Sequence, residues 1–163
     1  MLQLPASGAE VAKSILGILD AKNVPYKHMK HSPTPTSADS AEVRNMPLET
    51  GVKAIILVGK KSGKNYLINV PGSMRVDIKA ASEAVEERLT MENPGIILER
   101  FGLEVGAISP FGELLGIPVY MDEAVLKHQS VAFNCGLRTE SIIMPARDLA
   151  EITGSQVGKF AKQ

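Results

Sequence analysis

Two apolar segments around a short polar turn, in the middle of the chain, most constrain the fold. Residues 52–58 are apolar and rich in β-branched side chains, apart from one lysine, and residues 66–70 repeat that character after the turn. Short apolar runs bounded by Gly, Ser and Asn predict buried strands paired as a hairpin. The chain must therefore build a sheet around this pair.

Helix and strand signals alternate on both sides of the hairpin. Helices are predicted where a capping residue or a proline precedes helical apolar spacing, over residues 7–22, 36–43, 78–88, 93–101 and 145–152. Further short strands are predicted over residues 25–31, 103–105, 118–121, 130–133 and 141–144. Residues 154–163 are expected to fray at the end of the chain.

These elements predict an α/β fold with α+β character. Helices and strands are interspersed, but hairpin-like turns are too frequent for a purely parallel sheet. We expect one compact domain over residues 1–163, with its core at about residues 8–152. Its mixed, partly barrel-like sheet is surrounded by helices. A length of 163 residues suits such a core, and 44% hydrophobic residues argue against disorder.

Composition excludes several classes of function. Equal numbers of basic and acidic residues, 18 each, argue against extensive nucleic-acid binding but permit contact with one end of a nucleic acid. Four per cent aromatic residues argue against a base-stacking platform. No apolar run reaches the roughly 18 residues of a membrane span, and residues 1–7 lack a signal-peptide pattern. We therefore expect a cytoplasmic protein.

The cysteine and histidines give little support for metal or thiol chemistry. One cysteine excludes an intrachain disulfide, and three scattered histidines argue against a structural zinc site. No metal or cofactor is expected. Cys135 could act as a nucleophile with His128 as base and Asp122 as orienter, provided that the three converge in space. The alternative is a small, semi-buried thiol.

Two features point to a ligand pocket. Lys53 stands at the head of a buried strand, where a charge must be paired or reach for an anion. The glycine-rich loop at residues 106–112 exposes backbone N–H groups, because glycine has no Cβ to block close approach. Together they suggest a phosphorylated or ester substrate. The alternatives are a lysine that snorkels to water and an ordinary turn.

The order and spacing of several segments resemble the YbaK and prolyl-tRNA-synthetase-associated editing-domain superfamily, whose members are aminoacyl-tRNA deacylases. Lys53 and the Gly106-x-x-x-Pro110 pattern are the most diagnostic features, and the resemblance extends over residues 8–152. The segments that carry it are residues 52–57, 76–79, 103–112, 117–123, 134–136 and 148–149.

The resemblance implies hydrolysis of a mischarged aminoacyl-tRNA by a free-standing editing enzyme. Lys53 would hold the 3′-terminal nucleotide, and the loop at residues 106–110 would hold the aminoacyl ester. The backbone N–H groups of Gly106, Ala107 and Ile108 could then stabilise the developing oxyanion. Substrate-binding positions would be Thr36, Ser37, Ser109, Pro110, Asn134, Gly136 and Ser141. The implied partners are the acceptor end of aminoacyl-tRNA and an aminoacyl-tRNA synthetase.

Position 141 departs from the family pattern. Family members carry His or Asp about seven residues after the position of Asn134, whereas this chain has Ser141. A second departure is Asn134 itself, where those members have Ser or Gly near the preceding turn. Asn134 and Ser141 are both expected to line the pocket for the amino-acid side chain. The amino-acid preference of known family members is therefore not transferred to this chain. The alternative function is a non-catalytic module of the same fold that binds a nucleotide or a synthetase.

Overall fold

The structure is a computed structural model that describes residues 7–163; the expectations for residues 1–6 lie outside this range. Its α-helices are α1 (Gly8–Ala21), α2 (Ser37–Arg44), α3 (Ile78–Val85), α4 (Pro94–Phe101) and α5 (Ala146–Ile152). Its strands are β1 (Lys27–Lys30), β2 (Val52–Gly59), β3 (Asn65–Pro71), β4 (Arg75–Val76), β5 (Leu89–Met91), β6 (Val119–Asp122), β7 (Ser130–Asn134), β8 (Glu140–Pro145), β9 (Gln156–Gly158) and β10 (Ala161–Lys162). Short 3₁₀ turns lie at Leu48–Thr50, Gly112–Leu115 and Glu123–Lys127.

The predicted hairpin forms the centre of a five-stranded mixed sheet with the order β5-β2-β3-β6-β9. β2 pairs antiparallel with β3 and β5, whereas β3–β6 and β6–β9 are parallel. An antiparallel sheet β1-β8-β7 lies beside it, and β4 pairs with β10. This confirms the α/β class with a mixed sheet, and the strands of residues 7–163 do not close into a barrel.

The core occupies both faces of the five-stranded sheet. On one face, Ile56 and Leu67 join a large apolar cluster that includes Ile15 of α1 and Phe133 of β7. On the other face, a smaller cluster includes Leu57, Ile68 and Val70 of the same hairpin. Successive side chains of a strand point to opposite faces, so one apolar hairpin supplies both clusters.

The start of α1 packs tightly on the loop that follows β7. A Cβ on Gly8 would lie 2.0 Å from the carbonyl oxygen of Gly136, and a Cβ on Gly136 would lie 2.5 Å from the carbonyl oxygen of Gly8. Gly136 also has φ +106°, a conformation that L side chains rarely adopt. Both glycines are therefore needed for close backbone packing.

The predicted strand over residues 103–105 is wrong. α4 ends at Gly102 with φ +67°, and Leu103 lies in the core, where it is 1% exposed. The Ala107 N–H then donates to the Glu104 carbonyl at 2.9 Å, which closes a turn that contains Gly106 at φ +94°. Residues 103–107 thus form a turn because local hydrogen bonding and two left-handed glycines replace sheet pairing.

The predicted fraying of residues 154–163 is also wrong. β9 adds to the five-stranded sheet, and Phe160 is 7% exposed against the smaller core cluster. The Asp122 side chain accepts hydrogen bonds from the Phe160 and Ala161 N–H groups at 2.7 and 2.8 Å. One distant carboxylate therefore holds the terminal segment, which local sequence does not reveal.

Candidate active site

A cavity of about 230 Å³ opens between the N-terminal half of β2, helix α2 and the 104–108 turn. Its polar lining comes mainly from α2 and the segment before it, and its apolar lining from β2. Among the lining side chains, only Lys53 and Arg44 carry charge. The lining residues are Thr34, Pro35, Thr36, Ser37, Ser40, Arg44, Gly51, Val52, Lys53, Ala54, Ile55, Gly72, Val105, Gly106, Ile108 and Asn134.

Lys53 lies in β2 opposite Val70 and is half-buried. Burial lowers the pKa of its ammonium below the ordinary value of 10.5. Within residues 7–163, no carboxylate lies within ion-pair distance of it, and no hydrogen-bond acceptor is in reach. This cation is therefore available to an anionic ligand in the cavity.

The 104–108 turn presents two backbone donors at the cavity. The N–H groups of Gly106 and Ile108 donate to no acceptor among residues 7–163, and both residues line the cavity. The Ala107 N–H, by contrast, is used by Glu104, and the Ala107 carbonyl accepts from Gly136 N–H at 2.9 Å. Ala107 therefore supports the turn and is not free to bind an oxyanion.

Arg138, from the connection between β7 and β8, holds the same turn from outside. Its Nε donates to the Val105 carbonyl at 3.0 Å, and Nη2 donates to the same oxygen. Its Nη1 lies 3.2 Å from the Glu104 carboxylate. These contacts fix the turn backbone, and with it the direction of the two free N–H groups.

Arg44, at the last turn of α2, is the least expected residue of the site. The side chain is buried, and its residue is only 8% exposed. Nε donates to Ser141 Oγ at 2.9 Å, and Nη2 donates to Asn134 Oδ1 at 3.0 Å. Burial lowers the pKa of the guanidinium to about 10, and no carboxylate among residues 7–163 pairs with it.

Asn134 connects this guanidinium to the 104–108 turn. Its Nδ2 donates to the Gly106 carbonyl at 2.6 Å, while Oδ1 accepts from Arg44. Behind it, Ser141 Oγ is fully buried and lies 2.7 Å from His31 Nε2. His31 Nδ1 donates to the Ser32 carbonyl at 2.8 Å, so the single hydroxyl proton of Ser141 has two acceptors in reach, His31 Nε2 and Asn134 Oδ1, the latter at 3.2 Å.

The structure brings together only part of the expected substrate-binding set. Thr36, Ser37 and Asn134 line the cavity together with Lys53 and Gly106. Thr36 also caps α2, because its Oγ1 accepts from the Asp39 N–H at 3.1 Å. Outside the cavity lining lie four expected positions, which are Ser109, Pro110, Gly136 and Ser141.

The thiol hypothesis is wrong. Cys135 is fully buried in the large apolar cluster, and its Sγ–H donates to the Glu140 carbonyl at 3.6 Å. Desolvation and, to a smaller extent, the charge of Glu140 raise the pKa of the thiol to about 12. Asp122 binds backbone N–H groups of residues 124, 160 and 161, so it cannot orient His128. Cys135 is a small core residue.

Sequence reasoning missed Arg44, Thr34 and Ser40. The available signal was a polar stripe on α2, where Ser37, Ser40 and Arg44 recur at helical spacing. An ordinary surface helix places its apolar residues on such a stripe. When a helix that packs against the protein carries a polar stripe instead, the stripe indicates that this side of the helix faces a cavity.

Metal-binding clusters and membrane-spanning helices are both absent from the described residues 7–163. No group of three or more His, Cys, Asp or Glu side chains is arranged to hold a metal ion. No helix in that range combines the length and the apolar character needed to cross a bilayer.

This chain belongs to the aminoacyl-tRNA editing domain family, because its residues 31–152 match that family. The match begins just after β1 and ends with α5, so it includes every residue that lines the cavity. It confirms the resemblance inferred from Lys53 and the 106–110 pattern.

Two curated proteins are similar to this chain over most of its length. The protein YwhH of Bacillus subtilis (strain 168), which is uncharacterized, is 28% identical over 122 residues, covering 75% of this chain and 77% of YwhH. The multifunctional Ser/Thr-tRNA deacylase ProXp-y of Escherichia coli (strain K12) is 22% identical over 161 residues, covering 96% of each protein. Proteins similar to this chain therefore include a tRNA deacylase.

Solved structures show the same fold. A proposed trans-editing enzyme for prolyl tRNA synthetase superposes with a TM-score of 0.79 at 26% identity, over 94% of this chain and 98% of that one. The hypothetical protein APE2540 superposes with a TM-score of 0.83 at 22% identity, over 91% and 99%. The fold is thus common to the whole length of both structures.

Proposed function

We propose that this protein is a free-standing deacylase that hydrolyses the ester of a mischarged aminoacyl-tRNA. The single observation that carries the proposal is the cavity of a tRNA-editing family member, which is lined by a half-buried Lys53 and by Gly106 and Ile108, whose N–H groups, like Lys53, have no partner in residues 7–163. An anionic nucleotide and a neutral ester carbonyl are the groups that such a site complements.

Lys53 holds the phosphate or sugar of the 3′-terminal nucleotide in this proposal. The cavity lining includes two cations and no carboxylate, so the site attracts an anion and gives Lys53 no competing partner. Because Lys53 is only half-buried, the nucleotide binds near the mouth while the rest of the tRNA stays outside. Desolvation of the ammonium strengthens its attraction for phosphate.

The N–H groups of Gly106 and Ile108 stabilise the oxyanion that forms when water attacks the ester carbon. The carbon–oxygen bond to the ribose then breaks, so that the amino acid leaves as a carboxylic acid and the tRNA regains its hydroxyl. Removing one preorganised oxyanion donor costs about 3 kcal/mol in other hydrolases. An ester is already activated toward hydrolysis, so two oxyanion donors and good positioning supply much of the rate enhancement that this reaction needs.

The attacking water is oriented by the free ribose hydroxyl next to the ester. This step is inferred because Lys53 and Arg44 are the only ionisable side chains that line the cavity, and neither is a general base near neutral pH. The hypothesis fails if tRNAs ending in 2′-deoxy and in 3′-deoxy adenosine, charged with the same amino acid, are both cleaved at the normal rate.

The substrate is the acceptor end of a charged tRNA, and we propose that the enzyme acts in the cytoplasm beside an aminoacyl-tRNA synthetase. The formal net charge of zero supports a small contact area, since few phosphates are neutralised. Weak binding of free tRNA favours action on product that a synthetase has just released. We propose that residues 1–163 form one domain for this task.

A deacylation assay with tRNAs that carry Ala, Cys, Ser, Thr or Pro tests the proposal. We expect the wild-type protein to hydrolyse one or two of these esters well above the spontaneous rate. Failure on every ester would overturn it and favour the alternative, a non-catalytic module that binds a nucleotide or a synthetase. The absence of a carboxylate or histidine from the cavity lining is the observation that favours that alternative.

A further inference from the structure

Arg44 presents an unused donor to the innermost part of the cavity. Two of its three nitrogens are committed, Nε to Ser141 and Nη2 to Asn134. Nη1 has no acceptor among residues 7–163, although the residue is more than nine-tenths buried. Gly51 lies over this nitrogen, and a Cβ there would be 3.5 Å from Nη1. The missing side chain at position 51 leaves the donor open to the cavity.

The position of Arg44 selects the part of the substrate that can reach it. This inference depends on the proposed function, in which the ester carbonyl lies at Gly106 and the nucleotide near Lys53. Asn134 bridges the Gly106 carbonyl and Arg44, and Arg44 is 8% exposed whereas Lys53 is half-buried, so the guanidinium lies on the buried side of the site. With the nucleotide at Lys53 and the ester at Gly106, the acyl group is the part of the substrate that extends toward Arg44.

We propose that Arg44 is a specificity-determining residue, which donates a hydrogen bond from Nη1 to an oxygen on the side chain of the bound amino acid. The substrate class is therefore aminoacyl esters with an oxygen-bearing side chain, and aliphatic isosteres are rejected. When a methyl group of the substrate replaces the oxygen acceptor, the buried guanidinium is left without that hydrogen bond and its desolvation is not compensated. Such unpaired buried groups are the usual source of strong discrimination between isosteres.

Threonyl and valyl esters on one and the same tRNA provide the test, because they differ only by hydroxyl against methyl. We expect wild-type kcat/KM to be at least tenfold higher for the threonyl ester. In Arg44→Met this ratio should fall at least tenfold. In Arg44→Lys, which keeps the charge but not the planar fork, an intermediate ratio is expected. A purely structural role for Arg44 would lower both rates together and leave the ratio unchanged.

Gly51→Ala provides a second variant that replaces none of the hydrogen-bonded side chains around Arg44. Its backbone, with φ −73° and ψ 143°, suits alanine, and the added methyl would lie 3.5 Å from Nη1. It would also lie 3.3 Å from the Leu48 carbonyl oxygen, so a thermal melt of this variant is the control for its fold. Should Arg44→Met fail to fold, as a thermal melt would reveal, Gly51→Ala decides the question. We expect its threonyl-to-valyl ratio to fall at least threefold, and an unchanged ratio in a folded variant overturns the proposal.

The outcomes separate this inference from the proposed function. If the wild-type protein hydrolyses neither ester nor any other in the panel, the proposed function fails. If it hydrolyses threonyl and valyl esters at equal rates, the function stands and the role of Arg44 is wrong.

Discussion

At the residue scale, the site depends on two cations in different environments. Lys53 is half-buried and has no partner in residues 7–163, whereas Arg44 is buried and tied to Ser141 and Asn134. Both have a lowered pKa because burial disfavours their charged forms. Apolar side chains of similar size often stabilise a fold as well or better at such positions, so we infer that the two cations serve a ligand.

Lys53→Met should therefore leave the fold at least as stable as the wild type at neutral pH. Lys53 has a lower pKa in the folded state than in the unfolded state, so the unfolded state binds more protons and wild-type stability rises with pH. The advantage of Lys53→Met should shrink as pH rises toward the ordinary value of 10.5. The urea midpoints of the wild type and of Lys53→Met, at pH 7 and at pH 9.5, measure this advantage. A variant that is less stable, by the same amount at both pH values, would contradict this account.

At the element scale, α2 illustrates how one short helix can serve as the wall of a site. Thr36 and Asn45 cap its two ends, so the backbone is satisfied without apolar packing along its whole length. Its stripe of Ser37, Ser40 and Arg44 can then face the cavity.

Helix α1 allows a test of backbone packing with a control on the same helix. Gly8→Ala should destabilise the protein by about 1–3 kcal/mol or more, because its Cβ would overlap the Gly136 carbonyl. Gly17 lies on the exposed side of α1 with nothing within 4 Å of an added Cβ. Gly17→Ala should stabilise by about 0.5–1 kcal/mol through helix propensity. Chemical unfolding measures both, and a tolerated Gly8→Ala would show that the close approach is not required.

The terminal segment, residues 154–163, allows a second comparison, between a buried residue and its exposed neighbour. Phe160 packs edge-on against Tyr120, with ring centroids 5.5 Å apart, and is 7% exposed. Phe160→Ala should cost about 3–5 kcal/mol, as for other buried aromatic residues. Lys159→Ala, at an exposed position, should stay within about 0.5 kcal/mol of the wild type. Equal midpoints for the two variants in urea would mean that residues 154–163 fray after all.

At the scale of the whole molecule, local signals in the sequence predicted most of the fold. The hairpin follows from its apolar runs, and the starts of the α-helices follow from caps such as Ser7, Thr36 and Asn93. The terminal segment and the network around Arg44 could not be predicted in this way. Their contacts join residues that are 38 to 97 positions apart, and only tertiary packing brings them together.

The residues of the candidate site also divide into those that the sequence identifies and those that only the structure shows. Lys53 and Gly106 could be identified, because a charge in an apolar strand and a glycine-rich loop are unusual in themselves. Ser141 and Gly136 were expected at the ligand, but neither lines the cavity. Sequence order does not show which residues of a loop point inward, so the supporting positions could not be separated from the lining ones.

The net charge of the molecule predicts a weak dependence of tRNA binding on salt. With 18 basic and 18 acidic residues, contact should be limited to the acceptor end. The slope of log affinity against log salt should then correspond to about two or three neutralised phosphates. Filter binding of uncharged tRNA at several salt concentrations measures the slope. A slope that requires about ten phosphates would mean that the tRNA body also contacts the protein.

The central claim is that Lys53 serves catalysis in this editing domain, and one comparison tests it most directly. Deacylation of the preferred charged tRNA should be measured for wild type, Lys53→Ala and Lys60→Ala, the last an exposed lysine just beyond the other end of β2. We predict that Lys53→Ala lowers kcat/KM at least about a hundredfold, as expected for a lost charged contact of ~3 kcal/mol. Lys60→Ala should keep the wild-type rate, and both should melt cooperatively. Equal activity of the two variants would contradict the account.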